Sequence, residues 1–130
     1  MRIVVTASAV IALSACAATH TAPQQATLAI LEAAPIGPDE NCLRLRDIES
    51  TEGVGSRAML FRLRSGELYR SEFPASCPFA GRDDPFTYTT PSAQICGGEL
   101  LQYTDRASGI GNGSCNLGEF TPINPELDPA

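Results

Sequence analysis

The sequence contains no lysine and no tryptophan, and its only histidine, His20, lies near the N-terminus. All nine basic residues are therefore arginines, and 15 acidic residues outnumber them for a net charge of −6. Such a chain lacks the clustered positive charge that the phosphate backbone of nucleic acid requires. A single histidine outside the central part argues against histidine-based catalysis and against a His-rich metal site. We therefore expect no nucleic-acid partner, no metal and no cofactor.

The N-terminal residues have the pattern of a bacterial export signal that ends at a cysteine. Arg2 is the only charge before Cys16, and residues 3–13 are apolar or small throughout. A secretory signal has about 7–15 such residues, whereas a transmembrane helix needs about 20. Ser14 and Ala15 then lead into Cys16, and this order resembles the lipobox of bacterial lipoproteins. In that family the cysteine receives a diacylglyceryl group and becomes the first residue of the mature protein.

The lipobox resemblance implies a signal peptide over residues 1–15, lipidation at Cys16 and a position in the cell envelope facing the periplasm. The alternative is an ordinary secretory signal that is cut within residues 15–18 and leaves Cys16 incidental. Five cysteines are an odd number, and lipidation of Cys16 leaves four to pair. Because Ala17 rather than an aspartate follows Cys16, the sorting rule of enteric bacteria implies the outer membrane rather than the inner one.

The rest of the chain divides into a tether, a β domain and a tail. Residues 16–41 are rich in proline and glutamine and predict a flexible tether. Within it, residues 26–34 form a marginal nine-residue helix, which either stays flexible or docks on the domain. Residues 42–123 predict a small all-β domain, and residues 124–130 a polar tail.

Six antiparallel strands are expected in the β domain, arranged as a meander that closes into a barrel-like fold or a compact sandwich. The predicted strands are residues 43–48, 57–63, 67–73, 86–90, 94–104 with a glycine interruption, and 117–122. Turns are expected at residues 52–55 and at Ser65-Gly66, and a glycine-rich loop at residues 108–114. The predicted core is Leu43, Leu45, Met59, Phe61, Leu63, Tyr69, Phe73, Phe86, Tyr88, Leu101, Tyr103 and Phe120.

Several short motifs follow one another along this domain. They are Cys42-Leu43, Arg46-Asp47-Ile48, Ser50-Thr51, Leu60-Phe61-Arg62, Gly66, Tyr69-Arg70, Cys77-Pro78, Phe86 with Tyr88, Ile95-Cys96, and the segment from Cys115 to Phe120. In this order, and with this cysteine spacing, the chain resembles a family of small bacterial envelope proteins classed only as a domain of unknown function. The resemblance covers residues 42–123 and implies a folded domain but no activity. The chain departs from that family at Gly55-Ser56, where acidic residues are frequent.

The four cysteines of the domain are expected to form two disulfides, because an exported chain reaches an oxidising compartment. Three pairings are possible. In an up-and-down sheet, Cys42 and Cys96 begin strands on one rim, whereas Cys77 and Cys115 lie on the other. This geometry favours Cys42–Cys96 and Cys77–Cys115. No C-x-x-C spacing is present, so a zinc clip is disfavoured.

Five arginines lie on the first three predicted strands: Arg44, Arg46, Arg62, Arg64 and Arg70. In the first two strands they alternate with leucines, so we expect them to share a face opposite the core. Such a face predicts an anion-binding site for the phosphate or carboxylate of lipid headgroups or cell-wall glycans. The alternative is a solvated face whose charges are neutralised by Glu49, Glu67 and Glu72.

Acidic residues cluster near the glycine-rich loop: Asp83, Asp84, Glu99 and Asp105. Calcium is one interpretation and loop solubility is the other, since the spacing does not match an EF-hand. Hydrolysis without a histidine would need two acids placed in a cleft. We expect no enzyme but a non-catalytic binding or envelope-structural module, which holds a partner protein or an envelope polymer. The alternative is a periplasmic binder of a small anionic ligand through the arginine-rich face.

Overall fold

The computed structural model describes residues 19–129, so the predicted signal peptide and Cys16 lie outside the described residues. Within this range nine strands form three antiparallel sheets, accompanied by two helices. The elements are α1 (Ala22–Glu32), β1 (Cys42–Arg44), β2 (Ile48–Val54), β3 (Ala58–Leu63), β4 (Leu68–Glu72), α2 (Pro78–Gly81), β5 (Phe86–Thr87), β6 (Gln94–Cys96), β7 (Leu100–Thr104), β8 (Gly111–Asn116) and β9 (Phe120–Ile123). The all-β class is confirmed, although the sheets do not close into a barrel.

The largest sheet has the strand order β2-β3-β4-β9 and is called the central sheet below. Its β3-β4 hairpin is the one predicted around Ser65-Gly66, with Arg62 opposite Leu68. Gly66 adopts a φ of 94°, which glycine reaches without the steric cost of a Cβ atom. β3 opens with four consecutive apolar residues, 58–61, all of them buried. A run of this kind occurs where both faces of a sheet are covered.

The inner face of the central sheet packs against the two smaller sheets, β1-β6 and β5-β7-β8. Every predicted core residue lies in this layer. Leu43, Met59, Phe61, Leu63, Tyr69, Leu101, Tyr103 and Phe120 are buried there, and Leu45, Phe73, Phe86 and Tyr88 pack against them partly buried. The predicted core is therefore confirmed, and the arrangement is an open sandwich.

The outer face of the central sheet carries a second core that the sequence prediction missed. Helix α1 lays Ile30 and Leu31 on this face, where they meet residues from all four strands. The outer core consists of Ile30, Leu31, Val54, Ala58, Leu60, Leu68 and Ile123. The helix begins where the backbone N–H of Thr21 donates to Gln24 Oε1 at 3.0 Å, with Pro23 in the first turn.

The structure therefore shows the second of the two alternatives for this helix: it docks on the domain, and it spans Ala22–Glu32 rather than residues 26–34. The expectation that residues 16–41 form a flexible tether is wrong from α1 onward. After α1 the chain runs along β9, where the Ile36 N–H donates to the Pro122 carbonyl at 2.9 Å and Glu40 bridges to Phe120. The predicted polar tail is also docked, since a 3-10 turn at Pro125–Leu127 places Leu127 against the outer core. Apolar burial on the outer face outweighs the low intrinsic stability of an eleven-residue helix. None of the helices within residues 19–129 is long and apolar enough to cross a membrane.

Both predicted disulfides are confirmed. Cys42 and Cys96 face each other across β1 and β6, with a Cα–Cα distance of 4.0 Å. Cys77 and Cys115 tie the segment before α2 to β8, with a Cα–Cα distance of 5.9 Å. The pairing is right although the strands do not form one continuous meander, because β1 and β6 are direct neighbours in a sheet of their own.

Three predictions of strand and turn positions are wrong. The first expected strand, residues 43–48, is broken by a 3-10 turn at Leu45–Asp47, so that β1 and β2 belong to different sheets. The expected turn at residues 52–55 lies mostly inside β2, and the chain turns only at Gly55. The expected glycine-rich loop contains β8, in which only Cys115 is buried. A strand exposed in this way leaves no apolar alternation in the sequence to predict it.

Candidate functional site

A half-open cleft of about 530 Å³ lies on the inner face of the central sheet. The cleft is bounded by β2 and β3 on one side and by residues 80–88, β6 and β7 on the other. Its volume falls within the range of about 300–1,000 Å³ that is usual for small-ligand sites.

The floor of the cleft is apolar and largely aromatic. Tyr103 and Phe61 are buried, whereas Phe86 and Tyr88 are partly buried along the opening. The ring of Phe86 lies 5.6 Å from that of Tyr103 and 6.3 Å from that of Tyr88, measured between centroids. The Tyr103 hydroxyl donates to Met59 Sδ at 3.6 Å. Because Tyr103 and Phe61 are almost fully buried, only the partly buried rings of Phe86 and Tyr88 offer surface to a ligand, beside the polar groups of the cleft.

The rim of the cleft is acidic. Glu49, Asp83 and Asp84 line it together with Arg106, and Arg82 pairs with Asp84 at 3.1 Å, so the carboxylates exceed the guanidiniums by one. Burial, followed by the charges of Asp83 and Asp84, raises the pKa of Tyr103 to about 12.

The rim carboxylates differ in how they are held. Asp84 is buried, and its Oδ2 accepts hydrogen bonds from Arg82 Nη2 at 3.1 Å and Asn112 Nδ2 at 3.0 Å. Asp83 is exposed, 3.8 Å from Arg106 Nη2, which also donates to its carbonyl oxygen. Glu49 is exposed and forms no ion pair with any residue between 19 and 129. Glu49 is therefore the rim charge most available to a ligand.

The prediction that five arginines share one solvent-facing surface is wrong. Arg62 and Arg70 do lie opposite the inner core, as their alternation predicted, but the outer face is covered by α1 and the C-terminal turn. Arg62 Nη2 lies 2.6 Å from Glu52 Oε2, and its Nε lies 2.5 Å from Asp128 Oδ1. Burial opposes the charge of Arg62, but its hydrogen bonds to Glu52 and Asp128 outweigh burial and raise its pKa.

Arg70 is even more enclosed, with 7% of its surface exposed. Its Nη1 donates to three carbonyl oxygens at the C-terminal end of α1: those of Ile30 at 2.8 Å, Leu31 at 3.2 Å and Ala33 at 2.9 Å. Its Nε lies 3.7 Å from Glu72 Oε1. The last turn of α1 has no basic residue of its own, so Arg70 supplies the cation that a helix C-terminus favours. Arg62 and Arg70 are clamps rather than ligand-binding groups.

The other three arginines of the predicted face are exposed. Arg44 and Arg46 line a shallow hollow with Ser92, Ala93 and Gln94, and Arg64 Nε donates to the Arg46 carbonyl at 3.1 Å. Only part of the predicted set therefore comes together, at the turn between β1 and β2.

The acidic residues that suggested a calcium site each form separate hydrogen bonds or ion pairs. Glu99 accepts from the Cys96 N–H at 3.0 Å. Asp105 accepts from the N–H and hydroxyl of Ser108 and from the Ala107 N–H, and these bonds, those of Ser108 first, lower the pKa of Asp105. Across residues 19–129, no group of three or more potential ligands is placed to hold a metal ion.

The cleft itself was not predicted. Its aromatic residues were expected in the core and its acids in loops, but nothing in the sequence joins them. The lining comes from well-separated segments that only the packing of the sheets brings together. The one local signal was the spacing of Phe86 and Tyr88, whose partly buried rings lie 6.3 Å apart at the edge strand β5 and just after it.

Comparison with known proteins gives no further assignment. No family model matches the chain, no curated protein matches it significantly, and no solved structure matches it significantly. The resemblance to an envelope-protein family therefore stays a prediction.

Proposed function

We propose that the protein is an exported, periplasm-facing lipoprotein, held in the outer membrane by a lipid on Cys16, whose domain binds a partner without catalysis. The observation that carries the binding part is the cleft with an aromatic floor and an acidic rim. In this proposal the partner is an envelope protein or polymer that inserts an apolar group into the cleft.

Cysteine usage supports the export and anchoring part of the proposal. Disulfides form and persist mainly in oxidising compartments. Since Cys42 pairs with Cys96 and Cys77 with Cys115, Cys16 is the one cysteine left over in the sequence. Lipidation gives that cysteine a role.

Charge and ring geometry favour a ligand with a positive group on an apolar body. A cation over the face of a tyrosine or phenylalanine is attracted by the ring quadrupole, with about 0.5–1 kcal/mol at an exposed site. Phe86 and Tyr88 provide such faces, and Glu49 adds a carboxylate without a cationic partner among the described residues. An anionic ligand would meet repulsion from the same carboxylate. The cleft therefore selects the opposite charge from the anionic ligand that the arginine face predicted.

The hydrogen bonds of Asp84 support a non-catalytic role. Paired-carboxylate hydrolysis needs one acid that gives a proton and a second that acts as base or nucleophile. The Oδ2 atom of Asp84 is already occupied by donors from Arg82 and Asn112. This geometry suits a residue that fixes the loop beside the cleft.

The binding proposal is tested with the mature protein and three probes that share a phenyl ring but differ in charge. We expect 2-phenylethylammonium to bind more tightly than 2-phenylethanol, and 3-phenylpropionate to bind weakest, as measured by NMR shifts of the cleft residues. Glu49→Gln removes one charge and should weaken binding of the ammonium probe about threefold to fivefold, since one pair across about 4 Å of solvent contributes about 1 kcal/mol. Glu119→Gln, an exposed change away from the cleft, is the matched control. Equal binding of all three probes, or shifts outside the cleft, would contradict the proposal.

A further inference from the structure

Three exposed arginines meet at the turn between β1 and β2, and Arg44, Arg46 and Arg64 together are called the arginine end below. The backbone N–H of Arg64 donates to the Asp47 carbonyl at 2.8 Å, and its Nε donates to the Arg46 carbonyl at 3.1 Å. These bonds hold the end of β3 against the 3-10 turn. The side chains of Arg44 and Arg46 border one hollow of about 410 Å³, which also includes Ser92 and Gln94.

The charges of the arginine end are not neutralised by the rest of residues 19–129. Its one ion pair is between Arg46 Nε and Asp47 Oδ1 at 3.7 Å, with the two side chains 76% and 49% exposed. Exposed pairs of this kind contribute little. By contrast, Arg62, Arg70, Arg82 and Arg106 each lie within 4.0 Å of a carboxylate, and the chain as a whole has a net charge of −6. Arg57 is also exposed and forms no ion pair within residues 19–129, but it stands alone at the other end of β3. The arginine end is therefore a local positive surface on an acidic protein.

The accessible surface of the hollow is mainly apolar, and the donors suited to an oxyanion belong to the side chains that border it. A guanidinium presents a planar fork of N–H groups that matches two oxygens of one phosphate. Ser92 and Gln94 border the same hollow, and the Ser92 hydroxyl lies 3.5 Å from Thr90 Oγ1. A phosphate group, with several acceptor oxygens and up to two charges, uses more of these donors than a single carboxylate does.

The arginine end lies at the opposite end of the central sheet from the start of α1. Pro23 and Thr27 of α1 lie beside Gly53 and Val54, at the end of β2 that leads into the β2-β3 turn. Arg64 follows the other end of β3, and six strand residues span about 20 Å. A short linker to a lipid on Cys16 would join the domain at the α1 end, so the arginine end would face away from the anchoring bilayer. This step alone rests on the proposed lipid anchor.

We propose that the arginine end binds phosphate groups carried by a soluble or polymeric partner on the side away from the membrane. The phosphate is recognised by the forks of Arg44 and Arg46, with Ser92 and Gln94 as further donors. Arg64 fixes the turn that presents them and adds a third positive charge. Arg44 and Arg46 do not line the acidic cleft, which takes a ligand of the opposite charge.

The test uses the mature lipidated protein in a neutral detergent and inositol hexakisphosphate as a multivalent probe. Binding of the probe is measured by calorimetry at low and at high salt. The double variant R44Q/R46Q leaves Arg64 in place, because Arg64 also holds the Arg46 carbonyl. We expect it to weaken binding about tenfold and to flatten the salt dependence, since fewer charges contact the anion. The matched control is R57Q, which changes an exposed arginine at the far end of β3 and should stay within about twofold of the wild type.

Several outcomes would overturn the inference. Unchanged binding in R44Q/R46Q, or an equal loss in R57Q, would show that the probe responds to charge in general. Arginine-dependent binding to vesicles of phosphatidylcholine and phosphatidylglycerol, with no binding of the soluble probe, would assign the site to lipid headgroups instead. If the double variant melts early, R44Q alone is used, with a smaller loss expected. Binding of 2-phenylethylammonium in the cleft should be unaffected in either variant, so that failure of the arginine end is separable from failure of the cleft.

Discussion

Replacing Arg70 with methionine removes the clamp that joins α1 to the central sheet. Methionine has similar reach but cannot donate, so the carbonyls of Ile30 and Leu31 lose a buried hydrogen bond and that of Ala33 a partly buried one. An unsatisfied buried acceptor costs about 1–3 kcal/mol. Removing a buried guanidinium also relieves its own desolvation, which offsets part of this cost. Because one nitrogen serves all three carbonyls, the losses do not add in full, and we expect a net destabilisation of about 2–4 kcal/mol.

A loss of that size is large for this protein. Small domains have a free energy of unfolding of about 5–15 kcal/mol, and for about 100 residues 1 kcal/mol moves the melting temperature by about 4–5 °C. Arg70→Met should therefore melt about 10–20 °C earlier than the wild type. Hydrogen exchange should show the local part of the effect, with amides of α1 losing protection before those of β3.

Two further variants separate the causes of this change. Arg57→Met alters an exposed arginine outside both cores and should leave the melting temperature nearly unchanged. Arg70→Lys keeps the charge but loses the fork, and should fall between the wild type and Arg70→Met. If Arg70→Met melted within about 2 °C of the wild type, desolvation of the guanidinium would balance its hydrogen bonds, and Arg70 would not act as a clamp.

The remaining predictions concern cysteines, pH and the lipid. Removing Cys77–Cys115 by double alanine substitution should lower the melting temperature at least as much as removing Cys42–Cys96. By restricting the unfolded chain, each disulfide adds about 4 kcal/mol to the free energy of unfolding, but Cys77 is also fully buried. A smaller drop for Cys77–Cys115 would contradict this. The raised pKa of Tyr103, about 12, predicts stability that is complete below pH 10 and lost as pH rises through 12. In Tyr103→Phe the melting temperature should fall less steeply with pH above 10. An unchanged dependence of the melting temperature on pH would show that Tyr103 does not cause the decline. Intact-mass spectrometry of membrane-derived protein should give a chain beginning at Cys16 with acyl chains added and four hydrogens gained on reduction; an unlipidated mass would contradict the anchor.

Local patterns in the sequence predicted the parts of the fold that local chemistry decides. The β3-β4 hairpin follows from Ser65-Gly66 between two apolar runs, and the inner core follows because every second side chain of a strand points to the same face of the sheet. The docking of α1 did not follow, because two buried side chains on a short helix do not say which surface covers them. The signal for this docking lay in β3. The unbroken apolar run of residues 58–61 indicates that both faces of β3 are covered by protein.

The arginines show that periodicity can predict the correct face of a sheet but not whether that face is exposed to solvent. Alternation placed Arg62 and Arg70 opposite the inner core, and they lie there. It did not show whether that face meets water or protein. Because protein covers it, each guanidinium needs a partner, and Arg62 takes Glu52 and Asp128 while Arg70 takes the end of α1. The predicted partners Glu49 and Glu67 were wrong for the same reason, and Glu72 alone approaches Arg70.

The 3-10 turn that interrupts the expected first strand positions both candidate surfaces. Had residues 43–48 continued as one strand, Arg44 and Arg46 would have stayed in one sheet with Leu43 and Leu45. Instead the chain leaves β1 at Arg44 and turns through Leu45–Asp47 before it enters β2 in a different sheet. The turn directs Leu45 to the cleft and leaves Arg44 and Arg46 at the hollow. Arg64 pins this turn through two backbone carbonyls, so the positive surface and one wall of the acidic cleft depend on the same local geometry.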